Sequence, residues 1–330
     1  MTAEIKITDK NYITENYRMI LESGPMSHED IQTFLRGEGL SDEIVVQSTS
    51  GSTGEPLRIP RTRADVGDIA RRVVAVYVKH YGSMPDRIAL FGGISHMEAA
   101  VKLKSGGLQM RSFEPGELRE LVEFNPDVIS CYPSVARELI STMDSLPALK
   151  AIKLGGEPIF QSDINRLLAR NKNLIVIEQY GSTEMPAVAL RLFTAESRQA
   201  PYILQTERFS FLPFNEGWSD IVVRDNFPDL LFSIGRFYDM GDEMRIEKGQ
   251  GVEVRRRGDT NYHLRPIFEK LFESGCVNAQ IDMEKNAVIY SGKTNLAEIE
   301  IEGKKIPLKE GAPIRLRPSN KMPLLIGQYA

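Results

Sequence analysis

Small and hydroxylated residues are concentrated in Ser48-Thr49-Ser50-Gly51-Ser52-Thr53-Gly54-Glu55-Pro56, directly after the apolar run Ile44-Val45-Val46. Glycines reach backbone angles closed to other residues, consecutive N–H groups converge on one oxyanion, and Ser and Thr hydroxyls add donors without charge. Such a loop suits polyphosphate. No lysine follows Gly54, so the GxxxxGK[ST] pattern of ordinary nucleoside triphosphatases is not met. A Ser/Gly linker is the competing reading of the loop taken alone. A second hydroxyl cluster, Gln179-Tyr180-Gly181-Ser182-Thr183-Glu184, follows the apolar run Leu174-Ile175-Val176-Ile177. Thr183-Glu184 reads either as phosphate and metal chemistry or as a helix cap with an acidic first turn.

These loops need strands to end in and helices to return from. Apolar runs at 87–91, 108–110, 128–132, 151–154 and 174–178 alternate with helical stretches at 97–104, 117–124, 133–143 and 161–171. That alternation predicts an α/β sheet with parallel crossovers, and ligands of such sheets sit beyond the carboxyl ends of the strands. Gly92-Gly93, Gly155-Gly156 and the cluster at 179–184 all fall there. A helical lead-in covers 10–40, the strand Leu57–Pro60 follows the first loop, and Val66, Ile69, Val73 and Tyr77 mark one face of a helix over 63–81. From about residue 200 short alternating segments (221–223, 230–232, 244–246, 252–254) predict an antiparallel subdomain. Beyond Gly258, one helix around 266–273 and strands at 279–283, 287–290, 297–301 and 314–316 predict a small α+β unit. The fold expected is therefore a large N-terminal α/β domain with mostly parallel sheets and a small antiparallel subdomain, over 1–258. A small, mobile C-terminal α+β domain is expected over 259–330.

With 330 residues and 42% hydrophobic content the chain can bury a substantial core. A net charge of −4 argues against nucleic acid as a partner. No run of about 18 apolar residues suggests a membrane span, and the N-terminus lacks the apolar block of a signal peptide, so a cytoplasmic protein is expected. Cys131 and Cys276 make neither a metal spacing nor a disulfide framework and are expected as buried free thiols.

Four motifs in order, Thr49–Pro56, Gly155-Gly156-Glu157-Pro158, Tyr180-Gly181-Ser182-Thr183-Glu184 and Tyr238-Asp239-Met240-Gly241-Asp242, resemble the core motifs of the adenylate-forming superfamily. That superfamily contains acyl-CoA synthetases, adenylation domains of peptide synthetases and luciferases. The motifs are most similar to those of phenylacetate-CoA ligases and acyl-protein synthetases, in a shortened form, over about residues 44–260. The resemblance implies an ATP-dependent ligase that makes an acyl-adenylate from a small carboxylic acid, releases pyrophosphate, and passes the acyl group to CoA or an acyl carrier protein. An amine acceptor and a non-catalytic nucleotide-binding relative are the alternatives.

On this resemblance Thr49, Ser50, Gly51, Ser52, Thr53 and Gly54 hold the β- and γ-phosphates of ATP. Thr183 reaches the α-phosphate and Glu184 holds Mg²⁺. Gly155, Gly156, Glu157 and Pro158 line the nucleotide on one side, and Gln179, Tyr180, Gly181 and Ser182 on the other, with the Tyr180 ring flanking adenine. Asp242 accepts from the ribose hydroxyls, a task suited to an acceptor-only group. Arg257, fifteen residues later, stands near the ribose, and Asp259 at the interdomain hinge. His96 orients the acyl carboxylate; an ordinary partly buried histidine is the alternative. Lys321 is the counterpart of the catalytic lysine, against a solvent-facing tail lysine. Tyr132-Pro133-Ser134 forms a pocket wall, with Ser134 opening a helix. The chain begins closer to the phosphate loop than relatives do and is trimmed between Asp259 and Asn261, where the resemblance sets a pantetheine channel for transfer to a thiol.

Overall fold

A seven-stranded sheet organises the chain, in the spatial order Ile203–Leu204, Ala189–Phe193, Ile175–Tyr180, Ala151–Gly155, Val128–Cys131, Arg87–Leu90 and Gln109–Ser112. The computed structural model describes residues 6–38, 40–49, 56–101, 107–214, 217–247, 251–255, 264–316 and 319–326. From Ile175–Tyr180 to Gln109–Ser112 the strands run parallel, whereas Ala189–Phe193 turns back antiparallel. Successive side chains on a strand face opposite ways, so period two sorts this sheet into two covered faces. Ala89, Ile129, Ile152, Leu154 and Val176 meet the helices Pro133–Leu139 and Gln161–Arg170. Ile88, Leu90, Val128, Ala151 and Ile177 face the long helix Arg63–Tyr81 and Met97 of Ile94–Val101. Mixed α/β architecture is thus present as expected.

Helix Arg63–Tyr81 is fixed at both ends by its sequence. The Thr62 hydroxyl accepts from Asp65 N at 3.0 Å, and Gly82 ends the helix at φ +72° while donating to Val78 O at 2.8 Å. A hairpin of Ile44–Ser48 and Arg58–Thr62 precedes it. A second sheet joins Ile7–Thr8, Phe237–Glu247, Ser219–Asp225 and Phe209–Phe211, with Gly251–Arg255 also on Phe237–Glu247. Trp218, the sole tryptophan of the chain, lies half-buried between the guanidinium groups of Arg245 and Arg255, whose central carbons are 5.0 and 4.7 Å from its ring.

The C-terminal part is a five-stranded sheet in the order Glu298–Ile301, Lys304–Glu310, Ala287–Gly292, Cys276–Asp282 and Leu325–Ile326, backed by helix Arg265–Glu273. Phe268 and Phe272 bury themselves against Phe160 of the larger part, with centroids 6.0 and 5.0 Å away. Both Glu269 carboxylate oxygens accept from the start of helix Gln161–Arg170, from Gln161 N at 2.6 Å and Ser162 N at 3.1 Å. A carboxylate from one unit therefore caps a helix of the other, where the helix dipole favours negative charge.

Several sequence expectations change. The lead-in over 10–40 is three short helices, Lys10–Glu15, Tyr17–Glu22 and His28–Leu35, because Asn16 and Gly24-Pro25 interrupt it. Leu230-Leu231-Phe232 is not a strand: Leu231 and Phe232 anchor a loop in the core. Residues 314–316 make only a bridge, Leu316 to Lys321. The helix expected over 133–143 ends at Leu139 and continues as a 3₁₀ turn, Met143–Ser145. Ala189–Phe193 and Lys304–Glu310 are strands that the sequence reading missed, the latter because lysines and Pro307 mask its alternation.

Candidate active site

Between helix Arg63–Tyr81 and the large sheet lies a cavity of about 530 Å³, bordered at the carboxyl ends of the strands by Gly92-Gly93, Gly155-Gly156 and Gly181 and reaching down to Tyr77 and Pro85. Its walls are chiefly aliphatic. Gly156 is required at the rim: it adopts φ +80°, and a Cβ there would stand 2.8 Å from Tyr132 Cε1. Gly181 is equally confined, since a Cβ would meet Met185 O at 2.6 Å.

Of the residues singled out in the sequence, Thr49, His96, Gly155, Gly156, Gln179, Gly181, Ser182, Thr183 and Lys321 border this one cavity. Ser50, Gly51, Ser52, Thr53, Gly54, Arg257 and Asp259 lie outside the described residues. Thr49 pairs with Leu57: its N–H donates to Leu57 O and its hydroxyl accepts from Leu57 N, both at 2.9 Å. The hydroxyl of Ser182 accepts from Met185 N at 3.1 Å, pinning the turn that carries Thr183 and Glu184.

That turn is braced from beneath. Arg61 donates to Thr183 O at 2.6 Å and to Glu184 O at 3.2 Å, and pairs with Asp65 at 2.5 Å. Asp65 in turn meets Arg208 at 2.6 Å, and Arg208 meets Asp225 at 2.6 Å. All four side chains are at most 4% exposed. Buried charges demand such mutual pairing, so the chain rigidifies whatever hangs from it.

Glu184 is 8% exposed and lines a small neighbouring crevice with Arg224 and Arg236; no donor bonds its carboxylate among the described residues. Tyr180, whose ring the resemblance sets beside adenine, is buried against Tyr202, and its hydroxyl donates to Asp242 at 2.6 Å. Glu157 does not border the cavity. Its carboxylate accepts from Ser134 N at 3.0 Å, Ser134 Oγ at 3.1 Å and Met322 N at 2.7 Å. It therefore clamps the residue after Lys321 to the start of helix Pro133–Leu139, which is the use the structure makes of Ser134.

More contacts deliver Lys321. Arg315 donates to Ser134 Oγ, Asn320 O and Glu138 at 2.9, 3.2 and 2.7 Å. The Tyr132 hydroxyl accepts from Gly93 N at 3.0 Å and donates to Ser319 O at 2.9 Å. Its pKa is pushed up to about 12, by burial and then by Glu157, so this bridging proton is retained. Lys321 Cε ends 3.4 Å from where a Gly156 Cβ would stand.

His96 faces the cavity, accessible through the opening yet surrounded by protein. Its pKa falls to about 4, through that enclosure and then the cations Lys321, Lys153 and Arg61, so the imidazole is neutral at pH 7. Burial raises both thiols, Cys131 and Cys276, keeping them protonated and poor nucleophiles. Among the described residues no cluster of three His, Cys, Asp or Glu suited to a metal occurs.

Sequence reasoning missed Lys153, Arg61 and the bolting role of Tyr132. The first had a signal: Ala151-Ile152-Lys153-Leu154 sets one charge in an otherwise apolar buried strand. Arg61 had none, because the two carbonyls it holds, of Thr183 and Glu184, lie more than a hundred residues along the chain.

The chain belongs to the AMP-binding enzyme family, whose model matches residues 18–205. Among solved structures it is similar to a 2-hydroxyisobutyryl-CoA ligase in the postadenylation state, in complex with R3-HIB-AMP (TM-score 0.63, 13% identity, 99% of this chain and 80% of that one). It is also similar to IdnL7 (TM-score 0.56, 16% identity, 81% and 64%), and to PA1221, an NRPS protein containing adenylation and PCP domains (TM-score 0.51, 20% identity, 75% and 60%). The chain spans less than two thirds of the length of the latter two. At these identities the likeness is one of fold. No curated protein sequence matches.

Proposed function

We propose that the protein is an ATP-dependent carboxylate-activating ligase. One carboxylate oxygen attacks the α-phosphorus of ATP, the bond to the β-phosphate oxygen breaks, pyrophosphate leaves, and an acyl-adenylate remains. The observation that carries this reading is the meeting of Lys321, Thr183 and His96 at the glycine-lined mouth of one apolar cavity. Lys321 neutralises the attacking carboxylate and the α-phosphate oxygens as they approach, and Thr183 offers a hydroxyl on a turn that Arg61 keeps still. Positioning and preorganised charge are the main contributions expected for such a transfer. His96, being neutral, orients the substrate carboxylate without adding charge and is not needed as a base, since carboxylic acids are ionised at pH 7.

Glu184 fits Mg²⁺: a nearly buried carboxylate with no donor among the described residues suits a hard cation that takes one or two carboxylates and keeps its waters. Bound there, the metal would supply charge neutralisation of the phosphates. Asp242, one oxygen taken by Tyr180, keeps the other for ribose hydroxyls. ATP, Mg²⁺ and a small carboxylic acid are the ligands of this reading.

The acyl group then passes to a thiol, of CoA or a carrier protein. Lys321 at the mouth supports the adenylation step in this reading; transfer would then require the C-terminal unit, taken as 259–330, to swing Lys321 out and open the mouth. A cytoplasmic location agrees with two reduced buried cysteines. No helix of the described residues is long and apolar enough to cross a membrane.

Carboxylate-dependent exchange of labelled pyrophosphate into ATP tests the proposal, with hydroxylamine trapping across a panel of acids to name the substrate. Glu184→Ala and Lys321→Ala should each depress exchange by about a hundredfold or more. Exchange that never depends on an added acid would sink the ligase reading; full activity of Lys321→Ala would remove that lysine from the site.

A further inference from the structure

Lys153 stands on the central strand Ala151–Gly155, on the face that looks into the cavity, between Ser130 and Ile177 of the neighbouring strands. Its ammonium lies 3.7 Å from where a Cβ on Gly155 would stand. No carboxylate among the described residues pairs with it, and its pKa falls to about 8 through burial, with only the protonated thiol of Cys131 acting the other way. An enclosed, unpaired ammonium is costly, and proteins normally place a partner beside it. Here the space beside it is the cavity.

Lys321 reaches the same glycine pair, its Cε 3.4 Å from where a Cβ on Gly156 would stand, so two lysines converge on Gly155-Gly156, with the neutral His96 near both. A monocarboxylate brings one charge, and the adenylation reading commits that charge to Lys321. Past Lys153 the cavity turns apolar again, over Leu90, Val128 and Ile88 to Tyr77. The Tyr77 hydroxyl, buried at that far end, has no hydrogen-bond partner among the described residues.

We infer that the substrate is a dicarboxylic acid: its reacting carboxylate meets Lys321 at the mouth, its second carboxylate pairs with Lys153, and its carbon skeleton fills the apolar part of the cavity. This rests on the carboxylate-activating reading above and gives it a substrate class. Lys153 is a specificity-determining residue in it, not a catalytic one.

The test uses the full chain and matched probes, adipate against hexanoate and isophthalate against benzoate. Two readouts are taken: pyrophosphate exchange, and calorimetric binding in the presence of the non-reactive α,β-methylene ATP. The wild type should favour the dicarboxylate of a pair. Lys153→Met, close in size and lacking the charge, should lower kcat/KM for the dicarboxylates by about a hundredfold and raise it for the monocarboxylates, inverting the preference. Lys153→Arg should restore much of the preference for dicarboxylates. A wild type that favours the monocarboxylates, or a preference that Lys153→Met leaves in place, overturns the inference while the ligase reading stands. Dicarboxylate-selective binding that Lys153→Met abolishes, without exchange for any acid, overturns the ligase reading and keeps the assignment of Lys153. Absence of both binding and exchange sinks the two together.

Discussion

At the scale of single residues the site is governed by which groups carry charge at neutral pH. His96 does not: with a pKa near 4 it stays neutral from about pH 5 upward. The pH profile of kcat/KM for exchange should therefore be flat between about pH 5.5 and 7.5 for any acid accepted. A limb near pH 6.5 that vanishes in His96→Phe would show a titrating base instead. Lys153 behaves oppositely. Its ammonium deprotonates about pH 8 in the free protein, and the charged form is the one that pairs. For a dicarboxylate, kcat/KM should fall about tenfold per unit above that pH, and for the matched monocarboxylate it should not. Identical alkaline limbs for the two acids would refute this.

At the scale of elements, the turn holding Thr183 and Glu184 owes its position to Arg61, on the hairpin strand Arg58–Thr62 that precedes the long helix. Arg61→Met strips Asp65 of one buried partner and releases two carbonyls. It should cost about 3 kcal/mol of stability, read from the urea midpoint, and lower exchange as well. An unchanged midpoint would mean that the network is not structural. This bracing also explains where sequence reading stops. Parallel strands announced themselves as continuous apolar runs ending in glycine, and the helix over 63–81 by one apolar face closed by Thr62 and Gly82; these are local signals. Arg61 and Asp65 are four residues apart, yet the links that join this pair to Thr183, Glu184 and Arg208 span more than a hundred residues and leave no local pattern. Phe237–Glu247 was legible only in part, since Asp239, Gly241 and Asp242 interrupt its alternation. The glycine pairs at 92–93 and 155–156 and the turn Gly181–Thr183 were legible as strand ends, and they border the cavity there. What was missed is what holds it: the clamp on Met322, the tyrosine bridge between Gly93 and Ser319, and the lysine in the cavity wall.

At the scale of the whole molecule, the contacts that hold the C-terminal sheet against the larger part also hold Lys321 at the cavity. Arg315, partly exposed, joins the two parts by reaching Ser134 and Glu138, and it also holds Asn320. Arg315→Ala should cost only about 1–2 kcal/mol of global stability, yet lower the adenylation rate, because Lys321 loses its hold at the mouth. Thiol transfer from a preformed acyl-adenylate should not fall with it. A parallel loss of both half-reactions would point to a general packing defect.

Trp218, held between Arg245 and Arg255, gives the chain an optical gauge of its own. Being the single indole, it has emission that no second fluorophore of its kind obscures, and Arg255 beside it stands immediately before the stretch taken as the hinge. Any pivoting that disturbs Arg255 changes the field over that ring, so ordinary stopped-flow fluorescence on unlabelled protein can time such a movement.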